Sequence, residues 1–169
     1  MALELPLYGD RILLRPFDGA DIPAAHRLYG DAEVMRYVGT GLPVTPAVTA
    51  QMVADYRRHQ REHGFAFWAM LDRASGDLIG DAGLERTGQG TELGYTLGKA
   101  WWGRGLATEA ALLCVDAAFG PLGLSRLVAL VDAENPVSVR VLTKLGFTAD
   151  GIVPAYGRPH RRLLLEQPR

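Results

Sequence analysis

Apolar and polar positions along this chain follow two different periods, and each period predicts a class of secondary structure. Runs that alternate, or that form short blocks of branched and aromatic residues, are typical of strands. Such runs occupy residues 11–17, 65–72, 77–84, 93–97, 126–132, 147–154 and 162–166. Apolar residues three or four positions apart, bounded by capping residues, predict helices at residues 21–31, 45–63, 105–119 and 135–144.

The segments between these elements carry turn-forming residues. The sequence RASG at residues 73–76 joins two strand-length apolar runs and predicts a hairpin turn. We expect another turn at residues 85–90, a Gly- and Pro-rich loop at 35–46 and a polar loop at 155–161. The basic run RRHQR at residues 57–61 is expected to be a solvated helix end, with contact to a phosphate or to an acidic ligand as the alternative.

The order of these elements predicts a mixed α/β (α+β) fold. We expect a central mixed sheet of about seven strands flanked by about four helices, with residues 1–169 forming a single domain. A helix joins the strands at 93–97 and 126–132, which is the connection of a parallel pair. Because ligands of such folds bind beyond the carboxyl ends of the strands, the start of helix 105–119 is the predicted binding region.

The composition is that of an ordinary folded protein and argues against several classes of partner. The chain is 48% apolar and 22% charged, and 18 Lys and Arg against 19 Asp and Glu give a net charge of −1. This balance gives no general affinity for nucleic acid or acidic membranes. No apolar run approaches the ~20 residues of a membrane span, and the N-terminus carries no secretion signal. We therefore expect a cytoplasmic protein without nucleic-acid or membrane partners.

The single cysteine, Cys114, lies inside the predicted helix 105–119. One cysteine cannot form an intrachain disulfide, and with four scattered histidines it offers no spacing of metal ligands. We predict a buried structural thiol and no metal site.

Residues 92–110, ELGYTLGKAWWGRGLATEA, combine a strand, a Gly-Trp turn and a helix start. Gly103 and Gly105 let backbone approach a ligand closely, and the unpaired amides of a helix N-terminus bind anions. A triphosphate loop would need a Lys-Ser or Lys-Thr pair, which the chain lacks. A dinucleotide fingerprint would need glycine where Thr108 stands. The turn therefore predicts a phosphate-binding site that is neither a triphosphate loop nor a dinucleotide-binding turn.

Seven short motifs stand in a fixed order along nearly the whole chain. They are ILLRPF at 12–17, the strand with Trp68, LIGDAGL at 78–84, ELGYTLG at 92–98, WWGRGLATEA at 101–110, NPVS at 135–138 and KLGF at 144–147. In this order and spacing the chain resembles the GNAT superfamily of acetyl-CoA-dependent N-acetyltransferases, in particular the ribosomal-protein N-terminal acetyltransferases. The resemblance implies the GNAT-like sheet and acetyl-CoA as cosubstrate.

The superfamily's cofactor signature falls on residues 102–107, with Trp102 where most relatives have Gln or Arg. By this resemblance, the amides of residues 103–108 and the Thr108 hydroxyl hold the CoA pyrophosphate. Strand 93–97 pairs with the pantetheine arm, and an amide near Leu97 polarises the thioester carbonyl. The cofactor-binding residues implied in this way are Tyr95, Leu97, Trp102, Gly103, Arg104, Gly105, Leu106, Ala107, Thr108, Asn135 and Ser138.

The resemblance also implies the catalytic residues Glu92 and Ser138. Glu92 matches an acidic position of many relatives and is the candidate general base, with a surface carboxylate as the structural alternative. Many relatives carry a catalytic tyrosine where this chain has Leu142, which leaves Ser138, a water molecule or no protein acid for the departing thiolate. Tyr156 borders the acceptor site or serves packing. For Asn135 and Ser138 the structural alternative is an N-cap and a solvent-facing serine.

The predicted activity is acetyl transfer from acetyl-CoA to a primary amine, through direct attack and a tetrahedral intermediate. The acceptor is a protein N-terminus or a small amine. The alternative is an acyl-CoA-binding sensor with little or no turnover, which the absent tyrosine favours slightly. A homodimer is expected if the last strand is exposed at the edge of the sheet.

Overall fold

The computed structural model describes residues 2–169 and is built on one eight-stranded sheet. In spatial order the strands are β1 (Leu7–Tyr8), β2 (Ile12–Arg15), β3 (Phe67–Asp72), β4 (Leu78–Thr87), β5 (Gly90–Leu97), β6 (Arg126–Asp132), β8 (Arg158–Glu166) and β7 (Thr148–Ala155). The helices are α1 (Ile22–Tyr29), α2 (Ala32–Met35), α3 (Pro46–His63), α4 (Leu106–Phe119) and α5 (Pro136–Lys144). Neighbouring strands are antiparallel except β5 and β6, which are parallel.

The mixed α/β fold predicted from the sequence is confirmed, with one strand and one helix more than expected. The additional strand β1 has two residues and the additional helix α2 has four. Elements this short contain only about one period of their hydrophobic pattern, so periodicity cannot reveal them.

Two predicted connections are wrong, for a common reason. Residues 85–87 continue β4 and β5 begins at Gly90, so the turn between them is shorter than expected. Likewise β8 begins at Arg158, and the predicted loop 155–161 shrinks to Tyr156 and Gly157. Both residues of that tight turn have positive φ, as a two-residue hairpin turn requires. In each hairpin the strands extend beyond the apolar core, where polar residues do not distinguish strand from loop.

The last strand is not at the edge of the sheet. β8 lies between β6 and β7, and β7 forms the edge. An exposed last strand was the reason to expect a homodimer. That reason fails, because β8 has hydrogen-bonded partners on both sides.

Helices cover both faces of the sheet, and each face has its own core. Alternate residues of β3 show the division: Trp68 and Met70 join the core beneath α4, and Ala69 joins the core beneath α1 and α3. α4 contributes a stripe of small and aliphatic residues, namely Leu106, Ala110, Ala111, Cys114 and Ala118. These small side chains let α4 pack closely against the centre of the sheet.

Cys114 is fully buried in this stripe, and burial raises the pKa of its thiol. The predicted structural thiol is therefore confirmed. Within residues 2–169, no helix is both long enough and apolar enough to cross a membrane. The same residues contain no group of three or more His, Cys, Asp and Glu side chains placed to hold a metal ion.

Glu109 ties the start of α4 to β2. Its Oε2 atom accepts hydrogen bonds from the backbone N–H groups of Arg11 and Ile12, at 2.9 and 3.1 Å. Its Oε1 atom lies 2.9 Å from Nε of Arg11. Although burial acts to raise the pKa of Glu109, these donors outweigh it and the net pKa is lowered. The carboxylate therefore fixes the helix end that lies next to the candidate site.

We expect Glu109→Gln to destabilise the fold by about 1–3 kcal/mol at neutral pH, because a charged hydrogen-bond acceptor is lost. Since the folded-state pKa is lowered, this contribution is present above the unfolded pKa of about 4.3 and is lost as pH falls through the folded value. Urea unfolding at pH 7 and at acidic pH measures both effects. Glu166→Gln, which removes an exposed partner of Arg126, is the control. Equal stability of wild type and Glu109→Gln at pH 7 would contradict this role.

Candidate active site

The parallel strands β5 and β6 are joined at one recorded position. Glu92 pairs with Val128, whereas β5 pairs with β4 along its whole length from Gly90 to Leu97. Beyond Glu92, the edge of β5 that faces β6 thus has no strand partner within the described residues. Such an edge binds an extended ligand as it would bind another strand. Residues 93–97 therefore present the kind of edge that the sequence resemblance implied for pantetheine.

α4 begins beyond the carboxyl end of β5, with an uncapped first turn. Its N-cap residue is Gly105, which has no side chain to accept hydrogen bonds from the first-turn amides. Gly105 and Gly103 have φ of +77° and +73°, a conformation that favours glycine. Residues 103–105 are exposed, and α4 is 14 residues long. Free amides and the helix dipole at this end suit an anion such as a pyrophosphate.

Three contacts hold the loop before α4 in place. Arg11 Nη1 donates a hydrogen bond of 2.6 Å to the carbonyl of Arg104. The indole Nε1 of Trp102 donates one of 2.7 Å to the carbonyl of Leu97. The Arg104 guanidinium lies 5.1 Å from the ring centre of Trp101. Trp102 thus has a structural use at the position where most relatives carry Gln or Arg.

The three remaining residues of the predicted loop differ in exposure. The side chain of Leu106 is buried in the core, so that only its backbone is available to a ligand. Ala107 and Thr108 are half-buried on the first turn of α4. Among residues 106–108, the groups available to a polar ligand are therefore the Thr108 hydroxyl and the three backbone amides.

Asn135 and Ser138 meet at the start of α5. Asn135 Oδ1 accepts a hydrogen bond of 3.3 Å from the backbone N–H of Ser138. Asn135 is therefore the N-cap of α5, which was the structural alternative for this residue. Ser138 does not face solvent freely, because its Oγ lies 2.6 Å from the Tyr95 hydroxyl. The solvent-facing alternative for Ser138 is therefore wrong. This hydrogen bond connects α5 to β5 near the gap between β5 and β6.

The Tyr95 hydroxyl provides a phenol beside the start of α5. Leu142, which stands where many relatives have tyrosine, is 2% exposed and belongs to the core. Burial raises the pKa of Tyr95, more than the hydrogen bond with Ser138 lowers it. The phenol is therefore protonated at neutral pH and able to donate.

Glu92 and Ser138 lie on opposite faces of the sheet. Leu93 and Tyr95 pack in the core beneath α4. Because successive strand residues point to opposite faces, Glu92 points toward α1 and α3. Glu85 of β4 pairs directly with Glu92 and shares this face. A ligand in the gap would thus have a carboxylate on one side and the Tyr95–Ser138 hydroxyls on the other.

A cleft of about 170 Å³ opens on the Glu92 face, between α3 and the sheet. It is lined by Asp55, Tyr56, Arg58, His59, Glu62, Phe67 and Glu85. The sequence did not predict this cleft, because it placed Glu85 in a turn and residues 57–61 in solvent. Glu85, the strand partner of Glu92, lines the cleft.

His59 lines the cleft, and backbone groups engage both of its ring nitrogens. Its Nδ1 lies 2.7 Å from the carbonyl of Phe65 and its Nε2 lies 3.0 Å from the backbone nitrogen of Arg86. Since a carbonyl accepts and an amide N–H donates, Nδ1 is the donor and Nε2 the acceptor in these two hydrogen bonds. His59 therefore joins α3 to the segment before β3 and to β4, whereas Arg57, Arg58 and Arg61 are exposed, as expected for a solvated helix end.

Tyr156 stands at the rim of the same face, in the β7–β8 turn. Its side chain is 61% exposed and its φ is +52°. Partial burial together with the carboxylates of Glu92 and Glu85 raises the pKa of Tyr156. The place of Tyr156 beside the acceptor stays a prediction.

A buried carboxyl lies farther along the same row of side chains. Asp81 is 2% exposed and accepts a hydrogen bond from the hydroxyl of Tyr29, which is fully buried. Burial raises the pKa of Asp81 to about 6. This pair joins α1 to β4.

Comparison with known proteins supports the resemblance found in the sequence. The family model described as acetyltransferase (GNAT) domain matches residues 11–148. The uncharacterized N-acetyltransferase p20 of Bacillus licheniformis is 30% identical over 165 residues, which cover 94% of this chain and 90% of that protein.

Solved structures share the whole architecture. The acetyltransferase from Agrobacterium tumefaciens superposes with a TM-score of 0.84 at 27% identity, covering 99% of this chain and 98% of that one. The structure of Mycobacterium smegmatis RimJ in complex with CoA-disulfide has a TM-score of 0.75 at 21% identity, covering 92% of this chain and 81% of that one. Because RimJ is only 21% identical to this chain, the similarity between them concerns the fold alone.

Proposed function

The chain belongs to the acetyltransferase (GNAT) family, and we propose that this N-acetyltransferase moves the acetyl group of acetyl-CoA to a primary amine by direct attack through a tetrahedral intermediate. The observation that carries the proposal is the single pairing of the parallel strands β5 and β6, at Glu92 and Val128. It leaves a strand edge beside the uncapped start of α4, which suits a ligand with an extended arm and a pyrophosphate. Acetyl-CoA has both parts.

The proposed donor site uses backbone more than side chains. The amides of residues 103–108 hold the pyrophosphate, with the Thr108 hydroxyl as an added donor. The unpaired edge of β5 holds the pantetheine arm, and its amide near Leu97 polarises the thioester carbonyl. The contacts of Arg11 and Trp102 support this proposal, because they fix the loop before any ligand arrives.

Glu92 is the proposed general base. An alkylammonium has a pKa near 10, so at neutral pH a carboxylate must assist its deprotonation before the nitrogen attacks. Glu92 points to the face that carries the cleft, and its side chain has no hydrogen-bond or ion-pair partner among the described residues. The carboxylate is thus free to receive the amine.

Tyr95, assisted by Ser138, is the proposed proton donor to the departing thiolate. The two hydroxyls lie 2.6 Å apart on the face opposite Glu92, and the raised pKa of Tyr95 keeps its proton in place. Base and acid then approach the reacting carbon from different sides, as attack and departure require.

We expect Tyr95→Phe to lower kcat by about tenfold to a hundredfold, within the range for loss of a general acid. The KM for acetyl-CoA should change little, because the ring keeps its packing. Ser138→Ala, which removes only the supporting hydroxyl, should give a smaller decrease in kcat. Steady-state kinetics with varied acetyl-CoA measure both. Wild-type kcat in Tyr95→Phe would exclude the phenol as the acid.

The acyl-CoA-binding sensor is the competing function, and the buried Leu142 is the observation that favours it. Thiol release from acetyl-CoA, measured with N-terminal peptides, polyamines and aminoglycosides, separates the two functions and identifies the class of acceptor. Turnover with any of these amines supports the enzyme. Tight acetyl-CoA binding without turnover on any of them supports the sensor. The cytoplasmic location stays a prediction.

A further inference from the structure

Two carboxylates face each other across β4 and β5. Glu85 and Glu92 are direct partners in the antiparallel register, so their Cβ atoms are about 5 Å apart. Like charges in this arrangement are destabilising unless a cation or a shared proton compensates them. The pair therefore needs an explanation.

No Lys or Arg within residues 2–169 forms an ion pair with either carboxylate. The hydrogen bonds and ion pairs of the described chain include neither the Glu85 nor the Glu92 carboxylate. Arg58, in the same cleft, is paired with Asp55 at 2.9 Å. His59 acts to lower the pKa of Glu85, but its two ring nitrogens are engaged by backbone groups and not by the carboxylates. The compensating cation is therefore expected to come from outside the chain.

One member of the pair, Glu85, is accessible from the cleft. Glu85 lines it together with Tyr56 and Phe67, whose rings provide apolar walls. Burial and the neighbouring carboxylates of Glu92 and Asp55 raise the pKa of Glu85 by more than His59 lowers it. Carboxylates beside apolar walls suit the ammonium group of an alkylamine, which has one charged end and an apolar stem.

We propose that Glu85 is a second catalytic carboxylate, which binds the acceptor's ammonium group together with Glu92 and shares the proton that it gives up. This inference rests on the proposed function and extends it by a residue that the sequence resemblance does not include. The acceptor class is then a primary amine that arrives protonated, and the cleft beside α3 is the path by which it arrives.

The proton balance is as follows. The ammonium transfers one proton to the Glu85–Glu92 pair, and the neutral nitrogen forms its bond to the acetyl carbon. When the carbon–sulfur bond breaks, the sulfur takes a proton supplied from the Tyr95 side, and the nitrogen's second proton restores that donor. The pair releases its proton to solvent. The sum is ammonium plus acetyl-CoA giving amide, CoA thiol and one free proton.

Glu85→Gln tests the role of this residue in turnover. We expect the KM for the amine to rise about tenfold to a hundredfold, since a hydrogen bond to a charged group is lost, while the KM for acetyl-CoA stays within about twofold. The acid limb of kcat/KM should move to lower pH, because Glu85, whose pKa is raised, no longer titrates. The other titratable or charged groups of the cleft and its rim are all kept, namely Asp55, Tyr56, Arg58, His59 and Glu62 of α3 and Tyr156 of the β7–β8 turn.

Glu166→Gln is the matched control, because Glu166 pairs with exposed Arg126 on the far strand β8. It should leave both KM values and the pH profile unchanged. If Glu85 were only structural, Glu85→Gln would change stability without moving the amine KM or the acid limb. Turnover by Glu85→Gln with the wild-type amine KM and pH profile would overturn the inference.

Carboxyl ¹³C NMR titration gives a measurement that does not need turnover. In wild type, burial and the charge of Glu92 raise the pKa of Glu85, and butylamine without acetyl-CoA should lower it. In Glu92→Gln, Glu85 should titrate in one step at lower pH. If butylamine shifts these carboxyls but no amine is ever acetylated, the pair binds ammonium groups as inferred and the proposed acetyltransferase function fails. If amines are acetylated but butylamine shifts neither carboxyl, the inference fails alone.

Discussion

Glu92→Gln should lower kcat by about a hundredfold or more at neutral pH, within the range for loss of a general base. The amide keeps the size of the side chain but cannot accept the ammonium proton. Acetyl-CoA affinity should stay within about twofold, because Glu92 points away from the face on which Tyr95 and Ser138 meet. Steady-state kinetics and calorimetry with acetyl-CoA measure the two quantities separately.

The deficit of Glu92→Gln should shrink as pH approaches the pKa of the amine. Near pH 10 a substantial fraction of the acceptor is already neutral in solution and needs no base. The variant should fold normally, because no described hydrogen bond or ion pair is lost, and relief of the repulsion between Glu92 and Glu85 should stabilise it by about 0.2–1 kcal/mol. A wild-type kcat at neutral pH would remove Glu92 as the base.

Ala107→Asp should weaken acetyl-CoA binding by about a hundredfold or more. The new carboxylate would lie in the first turn of α4, where the pyrophosphate is proposed to bind, and two negative charges a few ångströms apart repel strongly near a protein surface. Calorimetry measures the affinity. The fold should be retained or slightly stabilised, since an acidic residue near a helix N-terminus is favourable by about 0.3–1 kcal/mol.

Ala107→Asn separates charge from size in this experiment. Asparagine has nearly the same shape as aspartate without its charge, so its affinity for acetyl-CoA should remain within about threefold of wild type. Equal weakening by both substitutions would indicate steric exclusion. Unchanged binding by Ala107→Asp would show that the pyrophosphate does not bind at the start of α4.

The turn that we propose as the donor half of the site was predictable from the sequence because local chemistry determines it. Gly103 and Gly105 adopt the positive φ that a tight turn before a helix requires, and the motif lies within a few consecutive residues. The strand before it and the helix after it carry clear periods. Fold class, the β5–α4 boundary and the buried Cys114 follow from such local patterns.

The acceptor half was not predictable, because it depends on register. Glu85 and Glu92 are partners since Thr87 pairs with Gly90, and placing the turn at residues 85–90 concealed this. A turn at Gly88 and Gln89 would have been the signal that found the pair. The hydrogen bonds of His59 to Phe65 and Arg86 join three elements and leave no trace in hydrophobic periodicity.

The hydroxyl pair illustrates the same limit on the other face. Tyr95 and Ser138 are 43 positions apart, and each was assigned to cofactor binding separately. Their hydrogen bond depends on how α5 packs beside β5, which no motif specifies. The absence of tyrosine at Leu142 indicated that the family's acid was missing, but only the packing of α5 against β5 brought a phenol to this place.

The most direct test of acetyl transfer at the β5–β6 gap is the stoichiometry of amine-dependent thiol release by the wild-type protein. Each CoA thiol released should match one acetylated amine identified by mass spectrometry, and the rate should saturate with acetyl-CoA and with the amine. If acetyl-CoA binds but no thiol is released above background with N-terminal peptides, polyamines or aminoglycosides, the protein is a sensor and the proposed function is contradicted.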